Sequence, residues 1–272
     1  MIFNIVHKAY RRVKEAIRIN YIATGYINLR LLSLKNAYRC PILCYGKIKF
    51  HHLKGRIIID GPIKTGMIKI GYRWLDLWPV SYIPTQINFI GVVKFYGTAT
   101  LSGGVSLNVQ SREGIIEFGD NIRIGGGTMI KAMQYIYIGH RTRVTGNCCI
   151  MDSNMHYVKD ISTGRIPTMT GNIYIGNNCW INYGSVITKG AFIPDYSITA
   201  RNTLVGKNYK NEGSNLFLAG SPAKIINKSV QRIFNYDRED ELRRFFKKNG
   251  SIVFFQDKIG LKEENIPFDT NE

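Results

Sequence analysis

Aliphatic residues recur in this chain every six positions. From Ile138 the step gives Val144, Ile150 and then His156; restarted at Ile175 it gives Ile181, Ile187, Ile193, Thr199 and Val205. Four residues after these positions stand Thr142, Cys148 and Asn154 in the first run, and Cys179, Ser185, Ala191, Ser197 and Thr203 in the second. All are small or short. Glycine often follows the aliphatic, as at Gly139, Gly176 and Gly206. Upstream, with slips in phase, Phe118 and Ile124 keep the step, with Thr128 in the small column. Phe89, Phe95, Leu101 and Leu107 keep it too, with Val93, Ala99, Val105 and Ser111 four residues later. A helix needs recurrence near 3.6 and a half-exposed strand near 2. A period of six fits a short strand plus a turn, repeated, with one aliphatic and one small residue pointing inward each time. The turn segments GNN, GDN and GGG supply residues that tolerate left-handed backbone. The pattern predicts an all-β stack, a parallel β-helix in which each coil buries its aliphatics against the next. The alternative is a β-sandwich with chance spacing, against which the agreement of the columns from Ile175 to Val205 weighs.

The regularity stops at IMDSNMHYV, Ile150 to Val158. Here Asp152, Asn154 and His156 alternate, and His156 falls on the aliphatic column. A polar side chain at a core position needs a buried partner or a departure from the core. Hexads resume at Ile175, so a loop over 157–171 supplies the departure, with His156 at its root. Two readings follow. In one, His156 is a capping histidine satisfied by Asp152. In the other it is a general base, because neutral imidazole accepts a proton near neutral pH, and Asp152 or Asn154 fixes its tautomer or holds a substrate.

The net charge of the 272-residue chain is +18. That favours polyanionic or phosphorylated ligands, yet the basic residues are spread out and no nucleic-acid-binding signature is evident. No apolar run reaches the roughly 18 residues of a membrane span, and no secretory leader is evident. Five cysteines at scattered spacing, among them Cys40, Cys44 and Cys149, suggest a reducing, cytoplasmic setting rather than a disulfide framework. Cys149 is the one candidate for a thiol nucleophile. The histidines, His7, His51, His52, His140 and His156, show no metal-ligand spacing.

Three regions are expected. Residues 1–54 form a basic, amphipathic helical region, with Ile2, Ile5, Val6, Ala9, Tyr10, Val13 and Ile17 on one face. That face packs on the coils or on a neighbouring subunit, or else lies on an anionic membrane leaflet. Residues 55–228 form the β-helix. Residues 229–272 form a mixed-charge helix and a tail.

The ordered segments IMDSNMH, IYIGNNCWINYGSVITKGAFIPDYSITARNTLVGK and LAGSPAKII resemble those of the hexapeptide-repeat acyltransferases, in particular bacterial surface-polysaccharide O-acetyltransferases. The resemblance spans roughly 55–228. It implies a left-handed coil, a homotrimer, and direct acetyl transfer from acetyl-coenzyme A to a sugar hydroxyl with His156 as base, without a metal. It places Trp180, Gly184, Ser185, Ala200, Arg201, Lys207 and Lys224 along the coenzyme; Trp180 follows the small-column Cys179 and is therefore expected at an outward corner. Lys189 is a further cation on the later coils. Asn154, Asn182 and Ser221 depart from the usual pattern, which leaves the acceptor open. N-acetylation of an amino sugar or small molecule, and a scaffold without catalysis, are the competing readings.

Overall fold

The computed structural model describes residues 15–73 and 83–250. Among them the strands form sheets of nine, seven and six strands, which the chain visits in rotation. One coil runs Ile122–Ile124, Met129–Ala132, Tyr135–Ile138, and the next runs Arg143–Val144, Cys149–Met151, Ile173–Ile175. Strands of successive coils pair in parallel: Ile150 stands between Ile130 and Ile187, and Ile138 between Phe118 and Ile175.

This register makes each hexad column a continuous buried line. Ile87, Leu107, Ile130, Ile150, Ile187 and Val205 are successive neighbours on the seven-stranded sheet, all 0% exposed. Burying one such side chain contributes roughly 1.5–3 kcal/mol. Because the partners are the coils above and below, stability comes from stacking rather than from any single coil. The small column is buried as well, and its hydroxyls answer polar groups at the tight corners. Thr142 Oγ1 donates to the Gly176 carbonyl at 2.7 Å and accepts from the Cys179 N–H at 3.0 Å. Left-handed backbone recurs at Asn121, Asn178 and Asn202, with φ of 56°, 53° and 55°. Ser111 is only half-buried, where the chain makes a wider corner between Ser106–Val109 and Ile115–Phe118.

The coils start earlier than the sequence suggests. Ile42–Cys44 pairs with Ile68–Tyr72, and Ile48–Leu53 pairs with Thr85–Phe89. The boundary expected at 55 therefore moves back to Ile42. Register shifts between Phe50 and Leu53 and between Ile70 and Tyr72 put this first coil out of step with the six-residue period.

The helix Tyr21–Leu31 closes the open edge of the first coil. Its Asn28 stands in for a strand neighbour: Nδ2 donates to the Ile42 carbonyl at 2.7 Å, and Oδ1 accepts from the Ile42 N–H at 3.2 Å. Thr24 Oγ1 accepts from the Cys44 N–H at 2.9 Å, while Ala23, Ile27 and Leu31 join the core. Polar groups of an open sheet edge are thus satisfied by side chains. At the far end Lys224–Asn227 pairs antiparallel with Phe217–Ala219 and ends the parallel order. The expected apolar face from Ile2 to Val13 lies outside the described residues.

A second compact unit begins at Gln231. Its helix Tyr236–Asn249 is capped by Asn235, whose side chain accepts from the Arg238 N–H, and it ends at Gly250. The expected tail lies outside the described residues. Among the described residues no helix is long and apolar enough to cross a membrane.

Candidate active site

The loop leaves the stack after Cys149–Met151. An antiparallel bridge between Ser153 and Thr170 closes its neck. The Asn154 N–H donates to the Met169 carbonyl at 3.0 Å, and the Gly171 N–H to the Asp152 carbonyl at 2.9 Å. Lys189 Nζ, on the next coil, donates to the Thr168 carbonyl and ties the returning arm down. The tip is ordered by Asp160 Oδ1, which accepts from the N–H groups of Ser162 and Thr163 at 2.9 and 3.0 Å and from the Ser162 hydroxyl. These bonds to the charged form hold the Asp160 carboxyl below its usual pKa.

His156 lies just outside this neck. It is exposed, and among the described residues its imidazole has no hydrogen-bond partner. Met155, directly before it, adopts left-handed backbone with φ 63°, its N–H donating to Ser153 Oγ at 2.9 Å. The turn aims the chain away from the coil, so the departure from the core expected of His156 occurs.

Asp152 plays a different part from the one expected. It is 0% exposed, and its carboxylate accepts three backbone N–H bonds: Met133 at 2.8 Å, Gln134 at 2.7 Å and Tyr135 at 2.8 Å. These amides sit at the corner before Tyr135–Ile138, one coil earlier. A buried carboxylate so engaged pins two coils together and does not orient His156. Asn154 is exposed beside the neck and is the nearer of the two polar candidates to the histidine along the chain.

Burial works against Cys148, Cys149 and Cys179 as nucleophiles. Burial pushes Cys148 up to about 11 and Cys179 up to about 12. Cys149 is also raised by burial, opposed only in part by Lys131. A raised pKa lowers the thiolate fraction at neutral pH.

The residues expected along the coenzyme separate into two sets. Ser185 is 0% exposed, its hydroxyl paired with Thr199 Oγ1 at 2.9 Å. It belongs to the inward small column and cannot touch a ligand. Gly184 has φ +71°, and a Cβ there would lie 2.1 Å from Asn202 Oδ1. The corner itself therefore requires glycine. Trp180 is half-buried within the strand Trp180–Ile181, between Arg143 and Ile198, rather than at a corner. It lies on the nine-stranded sheet, whereas His156 leaves the seven-stranded one. Ala200 is half-buried, its carbonyl accepting from Thr203 Oγ1 at 2.9 Å. Arg201, Lys207 and Lys224 are exposed, with the Arg201 guanidinium 5.9 Å from the Tyr183 ring centre.

Of the other histidines, His140 is a corner element whose Nδ1 accepts from the Asp120 N–H at 3.0 Å. His51 and His52 both face a shallow groove of about 280 Å³, shared with Gln86, Asn88 and Asn108. A bulge between Phe50 and Leu53 turns these consecutive side chains to one side. A six-residue search cannot detect it. Among the described residues no three His, Cys, Asp or Glu side chains are grouped to hold a metal ion.

Rotating visits to three sheets of almost wholly parallel strands define the class of molecule: a parallel β-helix, with a histidine-bearing loop thrown out of one sheet. Among solved structures the chain is similar to the polySia-specific acetyltransferase NeuO, with 15% identity, coverage of 80% of this chain and 91% of that one, and a TM-score of 0.52. Weaker likenesses are to the polysialic acid O-acetyltransferase OatWY, with 17% identity over 74% of this chain and 100% of that one, TM-score 0.31, and to AntD, an N-acyltransferase from Bacillus cereus in complex with dTDP and 3-hydroxybutyryl-CoA, with 12% identity over 76% and 87%, TM-score 0.38. At 15% identity the likeness to NeuO establishes the fold alone, a left-handed β-helix. No protein-family model matches the chain, and no curated protein matches it in sequence.

Proposed function

We propose that this chain transfers an acetyl group from acetyl-coenzyme A to a sugar hydroxyl of a bacterial surface polysaccharide, in the cytoplasm, with His156 as general base. The observation that carries this reading is His156 itself. It is the one titratable residue that interrupts the aliphatic column, and it stands exposed and unengaged at the neck of a loop fixed to a rigid stack. A scaffold would gain nothing from that placement. In the reaction the neutral imidazole takes the proton from the acceptor hydroxyl as the oxygen attacks the thioester carbonyl, and the thiolate of coenzyme A leaves. The raised thiols support direct transfer without an acyl-cysteine. Arg201, Lys207 and Lys224 supply cations suited to the coenzyme phosphates, and Trp180 and Ala200 line the approach along the nine-stranded sheet.

His156 and Trp180 belong to different faces of one stack, which supports a site shared between subunits of a homotrimer. The loop fits this role, because it presents Tyr157 at 70%, Val158 at 60% and Ile161 at 94% exposure. Such apolar side chains are suited to packing on a neighbour.

The test is incubation with acetyl-coenzyme A and a panel of bacterial polysaccharides. Release of free thiol together with base-labile acetyl esters on the acceptor is expected. Acetyl groups in amide linkage would replace the hydroxyl by an amine, and thiol release no faster than hydrolysis with every acceptor would overturn the proposal.

A further inference from the structure

The helix Tyr21–Leu31 carries apolar side chains on its outer face as well as its inner one. The inner face is accounted for by Ala23, Ile27 and Leu31 in the core. The outer face carries Ile22, Tyr26 and Leu29 at helical spacing, 88%, 50% and 65% exposed, with Tyr21 beside them at 65%. A surface helix ordinarily carries polar side chains on the face turned away from the core. The apolar surface continues onto the short helix Leu34–Ala37 and its end, where Leu34 is 67% and Tyr38 88% exposed. Together these side chains make an apolar cap over the first coil, of the kind that marks an interaction surface.

Charge selects the partner. From residue 16 to residue 59 the sequence has eight Lys and Arg residues and no Asp or Glu. Arg30, Lys35 and Arg39 are exposed within the apolar cap. The nearest acid in sequence before it, Glu15, is held by Lys69 at 2.6 Å. A surface mixing exposed Ile, Leu and Tyr with Lys and Arg, and no acid, matches the boundary of an anionic bilayer, where apolar side chains enter among the acyl chains, tyrosines sit at headgroup level, and cations meet lipid phosphates. A second protein would have to offer an apolar surface of its own that is also strongly acidic.

We infer that this end of the β-helix, the outer face of Tyr21–Leu31 with Leu34 and Tyr38, docks on the surface of an anionic lipid membrane without crossing it. The contact differs from the one the sequence suggests, which falls on the face from Ile2 to Ile17. It is independent of the acetyl-transfer reading, since none of its residues belongs to that site.

The experiment is co-sedimentation of the full chain with phosphatidylcholine vesicles, with and without phosphatidylglycerol. Binding to the anionic vesicles only, weakened by salt, is expected. The double variant Ile22→Glu/Leu29→Glu should lower the lipid partition coefficient by roughly tenfold or more, since it removes two inserting side chains and adds two repelled charges. Circular dichroism of the variant and its thiol release with soluble acceptor should match the parent. Unchanged vesicle binding by that variant would overturn the inference. So would binding equal on both lipid compositions, or a parent that ignores vesicles but loses its oligomeric state by light scattering when the two residues are changed, because the cap would then be a subunit interface. Absence of acetyl transfer in every sample, with vesicle binding as described, would overturn the function and leave the docking surface standing.

Discussion

Asp152 reaches back one coil to Tyr135, whose backbone N–H donates at 2.8 Å to the 0%-exposed Asp152 carboxylate, and so turns away from the histidine that follows it in the sequence. The same carboxylate takes the N–H groups of Met133 and Gln134. Asp152→Asn replaces one acceptor oxygen by a donor facing those amides. Charge-assisted bonds are worth roughly 1.5–3 kcal/mol each, so a stability loss of about 3 kcal/mol is expected in urea unfolding. Turnover per folded molecule should stay close to the parent value. A variant with unchanged unfolding and abolished turnover would put Asp152 back beside His156 in the mechanism.

His156→Ala should have the opposite signature. The imidazole makes no contact that the fold depends on, so stability should change by no more than about 0.5 kcal/mol. Loss of a general base lowers the rate by roughly 100- to 10,000-fold. Single-turnover assays at saturating acetyl-coenzyme A read this directly, and turnover within threefold of the parent would remove His156 from the chemistry.

Cys149→Ser should retain full transfer. Burial raises the Cys148, Cys149 and Cys179 thiols above their ordinary pKa, so at neutral pH each is more fully protonated than a free cysteine. Alkylation of the folded protein at pH 7.5, read by mass spectrometry, should leave Cys148 and Cys179 unlabelled. An acetyl adduct on Cys149 after mixing with acetyl-coenzyme A would contradict direct transfer.

If the site is shared, mixed oligomers should recover activity that neither parent has. One partner is His156→Ala. The other should carry Lys207→Glu and Lys224→Glu, because both lysines are exposed. A bulky residue at Gly184 would instead break a corner that Asn202 already fills. Recovered activity on mixing unfolded and refolded subunits is the expected result. A monomer by light scattering, or no recovery, would mean that each chain works alone.

The sequence by itself determined the buried columns. Ile138, Ile150, Ile175 and Ile187 are all 0% exposed, because a coil that repeats identical strand and turn steps converts a three-dimensional pattern into a fixed interval along one dimension. It determined for the same reason where the interval fails, and hence the loop and the exposure of His156. Ser185 was legible as a small inward residue; the family likeness, which carries positions but not side-chain directions, put it on the coenzyme. Tertiary structure alone decided what meets across coils. Asp152 finds its partners 17 to 19 residues back, at a distance set by the length of each intervening corner, which no period encodes. The same holds for Asn28, whose amide serves a strand 14 residues away, and for His51 and His52, which share a face only because a bulge breaks the alternation. Which face of the helix Tyr21–Leu31 the stack covers, and which it leaves for another surface, follows from where the first coil ends.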